Sequence, residues 1–244
     1  MRWLFALLAL LPGAAESAAC RNVEFEGTPY SVCEAGPEDD LRLFHAGPDG
    51  AYGGFSALQV ALARRGLQLA FAMNAGMFHP DLAPVGLYVE EGRQLTPLVA
   101  SEGPGNFGLL PNGVFCIGKG FRIHESRQFA RKRPDCRFAT QSGPMLVIKG
   151  DLHPRFLAKS ESLYIRNGVG VSADGRRAVF AISNRPVNFH QFARFFRDGL
   201  GLPDALYFDG SVSRLYAPGL GRAGLGVSVL AMPANNLMLV ARRG

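Results

Sequence analysis

Four short segments place polar or charged side chains beside glycine at the edge of an apolar run. They are Asn74-Ala75-Gly76, Thr140-Gln141-Ser142-Gly143, Arg166-Asn167-Gly168 and Asp209-Gly210-Ser211. An apolar strand fixes the backbone that carries the polar group, and small neighbours leave room for a ligand. Each segment alone is typical of a turn. Together they predict that Asn74, Arg166 and Asp209 lie in one pocket.

Three of the side chains have reactive chemistry. The Asp209 carboxylate could stabilise or trap a cationic sugar in a transition state. The planar Arg166 guanidinium could bind two phosphate oxygens, and His79, which lies on a loop, could act as a general acid or base. The alternatives are a surface ion pair for Arg166, a solvated histidine for His79 and an Asp-Gly turn for Asp209.

The remaining candidates share hydrogen-bonding groups or small size at strand and loop boundaries. We predict substrate contacts from Asn74, Gly76, Asn112, Thr140, Gln141, Ser142, Gly143, Asn167, Asn184, Gly210, Ser211 and Ser213. The sequence has no Gly-x-Ser-x-Gly elbow, which excludes an esterase triad of that type. The five histidines lie far apart and no H-E-x-x-H occurs. We therefore expect no required cofactor, although Asp209 with nearby carbonyls could hold a hard cation.

The elements that must position these residues are mainly strands. Short apolar runs separated by glycine turns predict hairpins, including 85–90 with 94–98 and 114–117 with 121–124. Helical spacing of apolar residues predicts helices over 55–65 and 188–198, the second with Asn188 and Gln191 as a capping box. The predicted fold class is α+β: one domain with a large, mainly antiparallel mixed sheet and two or three helices.

The N-terminus has the features of an export signal. Arg2 precedes an apolar run over 3–11, and Ser17-Ala18-Ala19 offers a cleavage site, which predicts a signal peptide over 1–19 and a domain over 20–244. The apolar run is too short to span a membrane. Cys20 would permit a lipid anchor, but Ser17 stands where such signals usually carry Leu. We expect a periplasmic or extracellular protein.

Four cysteines in an exported chain indicate two disulfides. Three pairings are formally open, and short loops favour Cys20 with Cys33 and Cys116 with Cys136. The net charge is +6, and the basic clusters lack the interleaved aromatic residues of a nucleic-acid platform. No nucleic-acid partner is therefore expected, whereas a basic surface would favour anionic substrates.

Read together, these segments resemble the phosphodiester glycosidase family. That family carries Asn-Gly-Gly-x-Phe, then Ser-Gly-Pro, an Arg that opens a strand, and Asp-Gly-Gly-Gly-Ser. The corresponding segments are Asn74-Ala75-Gly76-Met77-Phe78, Ser142-Gly143-Pro144, Arg166-Asn167-Gly168 and Asp209-Gly210-Ser211-Val212-Ser213. Ala75, Ser211 and Val212 replace family glycines, which changes backbone freedom and pocket shape.

The resemblance implies a hydrolase that cleaves a glycosyl phosphodiester at the anomeric carbon, such as an N-acetylglucosamine-1-phosphodiester. The expected partner is a small sugar phosphodiester or an envelope glycan. The alternative is a protein that keeps the fold and binds envelope glycans without turnover.

Overall fold

The chain forms three large β-sheets, one two-stranded ribbon and three short α-helices within the residues described by the computed structural model, which are 20–47, 50–52, 54–209, 213–224 and 237–243. In chain order the strands are β1 (Cys20–Phe25), β2 (Thr28–Ala35), β3 (Asp40–Phe44), β4 (Ala46–Gly47), β5 (Gly50–Ala51), β6 (Leu67–Asn74), β7 (Tyr88–Glu90), β8 (Arg93–Thr96), β9 (Gly113–Ile117), β10 (Phe121–Glu125), β11 (Phe138–Ser142), β12 (Met145–Ile148), β13 (Asp151–Leu152), β14 (Asn167–Val171), β15 (Ala178–Ser183), β16 (Asp204–Tyr207), β17 (Arg214–Ala217), β18 (Gly221–Gly224) and β19 (Leu237–Arg243). The helices are α1 (Phe55–Ala63), α2 (Ser126–Lys132) and α3 (Phe189–Arg194), and a π-helical turn, Phe195–Gly199, follows α3.

Every pair of neighbouring strands is antiparallel in these described residues. Sheet A has seven strands in the order β1-β2-β15-β14-β16-β12-β13. Sheet B has the order β10-β9-β11-β7-β8, and sheet C has the order β18-β17-β6-β19-β3. Strands β4 and β5 form a separate ribbon. The predicted α+β class, with one domain and a large antiparallel sheet, is confirmed.

The central core lies between sheet A on one side and sheets B and C on the other. Phe180 of β15 is fully buried. It contacts Phe115 of sheet B, with ring centroids 5.9 Å apart, and Phe71 of sheet C, with centroids 5.2 Å apart. The opposite face of sheet A packs against α3. Helix α1 covers sheet C, so each apolar face of the sheets has a partner layer.

The two predicted helices form where the apolar spacing placed them, although each ends early. Helix α1 buries Phe55, Leu58 and Leu62. Helix α3 has the predicted capping box: the Asn188 Oδ1 accepts from the Gln191 amide at 2.8 Å, and the Asn188 amide donates to Gln191 Oε1 at 3.1 Å. The predicted helix 188–198 divides into α3 and the π-helical turn.

The structure corrects several expected boundaries. Asn167 does not lie in a turn, because β14 begins there and pairs it with Ile182. Helix α2 was not predicted; the Glu125 carboxylate caps it by accepting from the amides of Arg127 and Gln128, both at 2.9 Å. Strands β17 and β18 were also missed. The predicted signal peptide over 1–19 lies outside the described residues.

Both predicted disulfides are present. Cys20 is bonded to Cys33, which joins β1 to β2, and Cys116 is bonded to Cys136, which joins β9 to the segment before β11. Among the described residues, no helix is long and apolar enough to cross a membrane.

Candidate active site

Strands from two sheets end beside Asp209. Strand β6 of sheet C ends at Asn74, and strand β16 of sheet A ends at Tyr207, two residues before Asp209. The Asp209 amide donates to the Ala75 carbonyl at 3.3 Å, and the Phe208 amide donates to the Asn167 carbonyl at 3.0 Å. The backbone that carries the Asp209 carboxylate is therefore tied to both sheets.

A buried amide network completes this junction. Asn74 donates through Nδ2 to the Asp209 carbonyl at 3.0 Å, and its Oδ1 accepts from the Arg214 amide at 2.8 Å. Asn167 Nδ2 donates to both the backbone oxygen and Oδ1 of Asn74, at 2.9 Å each. The Ser213 hydroxyl donates to Asn167 Oδ1 at 3.1 Å. Because these buried groups satisfy one another, the network fixes one geometry of the junction.

Arg166 lies beside this network but is enclosed by protein. Its side chain is 1% exposed. Nε donates to the Val187 carbonyl at 2.8 Å, and an Nη donates to the Ser162 carbonyl at 2.9 Å. The guanidinium carbon lies 3.7 Å from the Phe189 ring centroid and 5.5 Å from that of Tyr207. These contacts favour a positioning role for Arg166 over the direct phosphate clamp expected from its sequence context.

Burial is also the main influence on the pKa of Arg166. Desolvation lowers the pKa of the guanidinium, and contact with Tyr207 and Tyr164 opposes that effect. The side chain stays protonated because an arginine pKa begins so high. The site therefore has a fixed positive charge one residue from Asn167.

The end of β11, the central strand of sheet B, approaches the same junction. Gly76 lies so close to β11 that a Cβ there would collide with Thr140 Oγ1 and the Gln141 carbonyl. This close approach explains why a glycine is needed at position 76. Strand β11 ends at Ser142, and the Tyr207 amide donates to the carbonyl of Pro144 at 3.1 Å. Sheet B is thereby held beside the segment that leads to Asp209.

The side chain of Gln141 acts within the protein. Its Oε1 accepts from the amides of Leu87 and Val99, both at 3.0 Å. Its Nε2 donates to the Ser126 hydroxyl at 2.9 Å and to the Val99 carbonyl. These bonds tie β11 to two loops and α2, so this geometry favours a structural role over the predicted substrate contact.

Two buried acceptors near the end of β11 have no hydrogen-bond partner among the described residues. They are Ser142 Oγ and Asn112 Oδ1. Asn112 uses its Nδ2 to donate to the Phe107 carbonyl at 2.8 Å, and it packs against Gly143, where a Cβ would collide with it. Because buried polar atoms are usually paired, these two atoms mark places where water or a ligand group would be favourable.

Other predicted candidates are exposed or lie outside the described residues. His79 is exposed on a loop, where its amide donates to the Ala83 carbonyl at 2.8 Å. Asn184 is exposed, and its Nδ2 donates to the Ser31 hydroxyl at 3.1 Å. Gly210 and Ser211 lie outside the described residues.

The sequence reasoning missed the surroundings of Arg166. Tyr164, Phe189 and Tyr207 place their rings around the guanidinium, and the Ser183 hydroxyl accepts from its backbone amide at 2.9 Å. The spacing of Tyr164 and Arg166, two residues apart next to a strand, was the available signal. No group of three His, Cys, Asp or Glu side chains suitable for a metal ion occurs in the described part of the chain.

Comparison with known proteins gives consistent results. Residues 68–240 match the family model for phosphodiester glycosidase. An uncharacterised protein of Escherichia coli (strain K12), YigE, is 35% identical over 225 residues, which cover 90% of this chain and 86% of that protein.

Two solved structures share the fold. The first is the zebrafish N-acetylglucosamine-1-phosphodiester alpha-N-acetylglucosaminidase catalytic domain, with a TM-score of 0.60 and 15% identity over 92% of this chain and 81% of that one. The second is a hypothetical protein from Synechocystis, with a TM-score of 0.54 and 15% identity over 91% of this chain and 61% of that one. Because the family model matches more than half of the sequence, the chain belongs to the phosphodiester glycosidase family.

Proposed function

We propose that this protein is an exported hydrolase that cleaves a glycosyl phosphodiester at the anomeric carbon of the sugar. The observation that carries the proposal is the clamped position of Asp209. The backbone of Asp209 is held by Asn74, the last residue of β6, and by Ala75, which follows it. Such rigid support is what a catalytic carboxylate requires.

The proposed chemistry follows from the bond that breaks. Cleavage at the anomeric carbon passes through an oxocarbenium-like transition state, which a nearby carboxylate stabilises or traps. Asp209 is the residue proposed for that role. Phosphate is a good leaving group, so the reaction needs little protonation of it. His79 is the candidate for the proton transfer that activates water.

The neighbouring polar residues divide into two proposed roles. Asn74 donates its side-chain hydrogen bond to the Asp209 backbone carbonyl, and Asn167 donates to Asn74. They therefore hold the backbone that carries the carboxylate. Arg166 supports the start of β14 and supplies a fixed positive charge beside the network. Thr140 and Ser142, at the end of β11, are the proposed contacts to the sugar or its phosphate.

Export is part of the proposal. The apolar N-terminal run and the two disulfides support it, because such bonds persist in oxidising compartments. We propose a periplasmic or extracellular location and no required cofactor.

The test is turnover by the purified mature protein of a sugar-1-phosphodiester, such as the N-acetylglucosamine compound, with release of free sugar as the readout. We expect turnover in the wild type and its loss in Asp209→Asn purified in parallel. Binding of the glycan without turnover in the wild type would instead support the glycan-binding alternative. Equal turnover in both preparations would indicate that Asp209 is not the catalytic group.

A further inference from the structure

A cleft lies at the opposite ends of the strands that carry the candidate site. It has a volume of about 470 Å³ and is formed by the turn after β9, the turn after β14 and the segment before Cys136. Strand β9 begins at Gly113, opposite Ser142, and ends at Ile117, next to the cleft. Five strand residues span roughly 15 Å, so the cleft is separate from Asp209.

Three cations line this cleft without a carboxylate partner. Lys119, Arg122 and Arg176 line it and are exposed. None of the ion pairs among the described residues includes them. Elsewhere, six arginines form ion pairs: Arg21, Arg42, Arg137, Arg177, Arg194 and Arg197. Other exposed arginines, such as Arg64 and Arg155, form none in the described residues, so the distinguishing feature is that three such cations surround one cleft. The cleft therefore groups three cations that form no ion pair among the described residues.

The two acids in the lining, Asp174 and Asp135, offset part of this charge and leave the three cations in excess by one. Asp174 Oδ1 accepts from the Ser172 hydroxyl at 2.6 Å and from the Arg176 backbone amide at 3.0 Å. These bonds, with the charge of Arg176, lower the pKa of Asp174, so its carboxylate stays charged, but they direct it toward its own turn. Asp135, the other acid, is in none of the described ion pairs.

The positive field also reaches a neighbouring histidine. Burial lowers the pKa of His124, which lines the cleft, and the charges of Lys132 and Arg122 lower it further. At neutral pH this imidazole is uncharged, so it can donate one hydrogen bond and accept another. It adds a polar contact to the three cations.

The walls of the cleft are held rigidly. The Phe121 amide donates to the Gly175 carbonyl at 2.8 Å, which locks the two turns together. Gly175 has a φ of +74°, and a Cβ there would collide with the Arg122 guanidinium. The disulfide between Cys116 and Cys136 fixes the third wall. A rigid cationic site binds an anion with less loss of conformational entropy than a mobile one.

We propose that this cleft is a binding site for a phosphate-bearing anion. Its volume falls within the range of small-molecule sites, roughly 300–1,000 Å³. The guanidinium groups match phosphate geometry, and the Lys119 ammonium adds a mobile point charge. The ligand is a free phosphate ester or a phosphate group of a polymer chain. This site does not depend on the proposed hydrolase activity.

The test uses two probes, inorganic pyrophosphate and a poly(glycerol phosphate) chain, with affinity measured by calorimetry at fixed salt. The cleft variant is Lys119→Glu/Arg176→Glu. The matched control, Arg64→Glu/Arg65→Glu, makes the same change in net charge at exposed residues beyond α1. We expect the affinities of the wild type and the control to agree within about twofold. The affinity of the cleft variant should be lower by about tenfold or more. Binding of pyrophosphate shows that a small free phosphate compound is sufficient, and binding of the polymer alone identifies the chain as the ligand.

Amide chemical shifts of the wild-type protein test the location without any variant. We expect changes on titration at Gly118, Gly120 and Gly175. Failure of the wild type to bind either probe would overturn the proposal. So would equal weakening in both charge variants, or shifts confined to the residues around Asn74 and Asp209.

Discussion

The side chain of Asn74 donates a hydrogen bond to the backbone carbonyl of Asp209 at 3.0 Å, across 135 residues of sequence. The same side chain accepts from Asn167 Nδ2 at 2.9 Å and from the Arg214 amide at 2.8 Å. One amide group thus joins β6 to the strands on either side of the candidate site. Its removal should affect both stability and geometry.

We expect Asn74→Ala to lower the free energy of unfolding by about 3 kcal/mol, because buried partners lose their hydrogen bonds. Urea denaturation of the purified variant measures this. Asn184→Ala is the control, since Asn184 is exposed and its side-chain amide exchanges hydrogen bonds with the Ser31 hydroxyl. It should change stability by less than about 1 kcal/mol. Equal effects of the two substitutions would show that the Asn74 network contributes little.

Asp209→Asn should lower kcat by about 10²–10⁴-fold and leave substrate affinity nearly unchanged. The substitution removes a charge with little change in volume, so it acts mainly on the transition state. Steady-state kinetics with a sugar-1-phosphodiester, together with calorimetric binding, separates the two quantities. Asp151→Asn, an exposed residue in β13, is the control and should keep wild-type kinetics. Near-native turnover by Asp209→Asn would show that another residue carries the chemistry, and His79 would be the next candidate.

Arg166→Met should destabilise the protein by about 3 kcal/mol or more, because the Val187 and Ser162 carbonyls lose a charged donor. As a positioning residue, Arg166 should affect a phosphodiester and a neutral aryl glycoside of the same sugar alike. The ratio of their kcat/KM values is the measurement. Arg155→Met, an exposed arginine, is the control. A loss confined to the phosphodiester would instead identify Arg166 as a phosphate clamp.

Ionisation of Tyr30 should make the protein less stable at alkaline pH. Burial, with a contribution from Glu26, raises the pKa of Tyr30 to about 12 from a model-compound value of 10.0. The folded state therefore holds the phenolic proton more tightly than the unfolded state. The stability that this tighter proton binding gives the folded state is fully present below about pH 10 and is lost as the pH rises through about 12.

The measurement is urea unfolding of the wild type and Tyr30→Phe at pH 9 and pH 11. Between these values the wild type should lose about 1 kcal/mol more than the variant. The variant keeps the ring that stacks on Phe195, so it removes only the titrating hydroxyl. Identical pH dependence of the two proteins would mean that Tyr30 ionises equally easily in both states.

The sequence by itself was sufficient for the elements that local patterns control. Apolar spacing located α1 and α3, and the Asn188 and Gln191 pair predicted the capping box that forms. Glycine turns between short apolar runs predicted the hairpins, and short loops predicted both disulfides. These features depend on residues close in sequence, whose interactions the chain order already contains.

Tertiary structure decided the roles of the polar residues at the site. The rings of Phe189, Tyr164 and Tyr207 enclose the Arg166 guanidinium. Phe189 and Tyr207 come from segments distant in sequence, so the local sequence around Arg166 could not show that its side chain is enclosed. The same holds for Gln141, which bonds Leu87, Val99 and Ser126 rather than solvent. Hydrogen bonds act over about 3 Å, and only the packing of three sheets brings donors and acceptors so distant in sequence within that range.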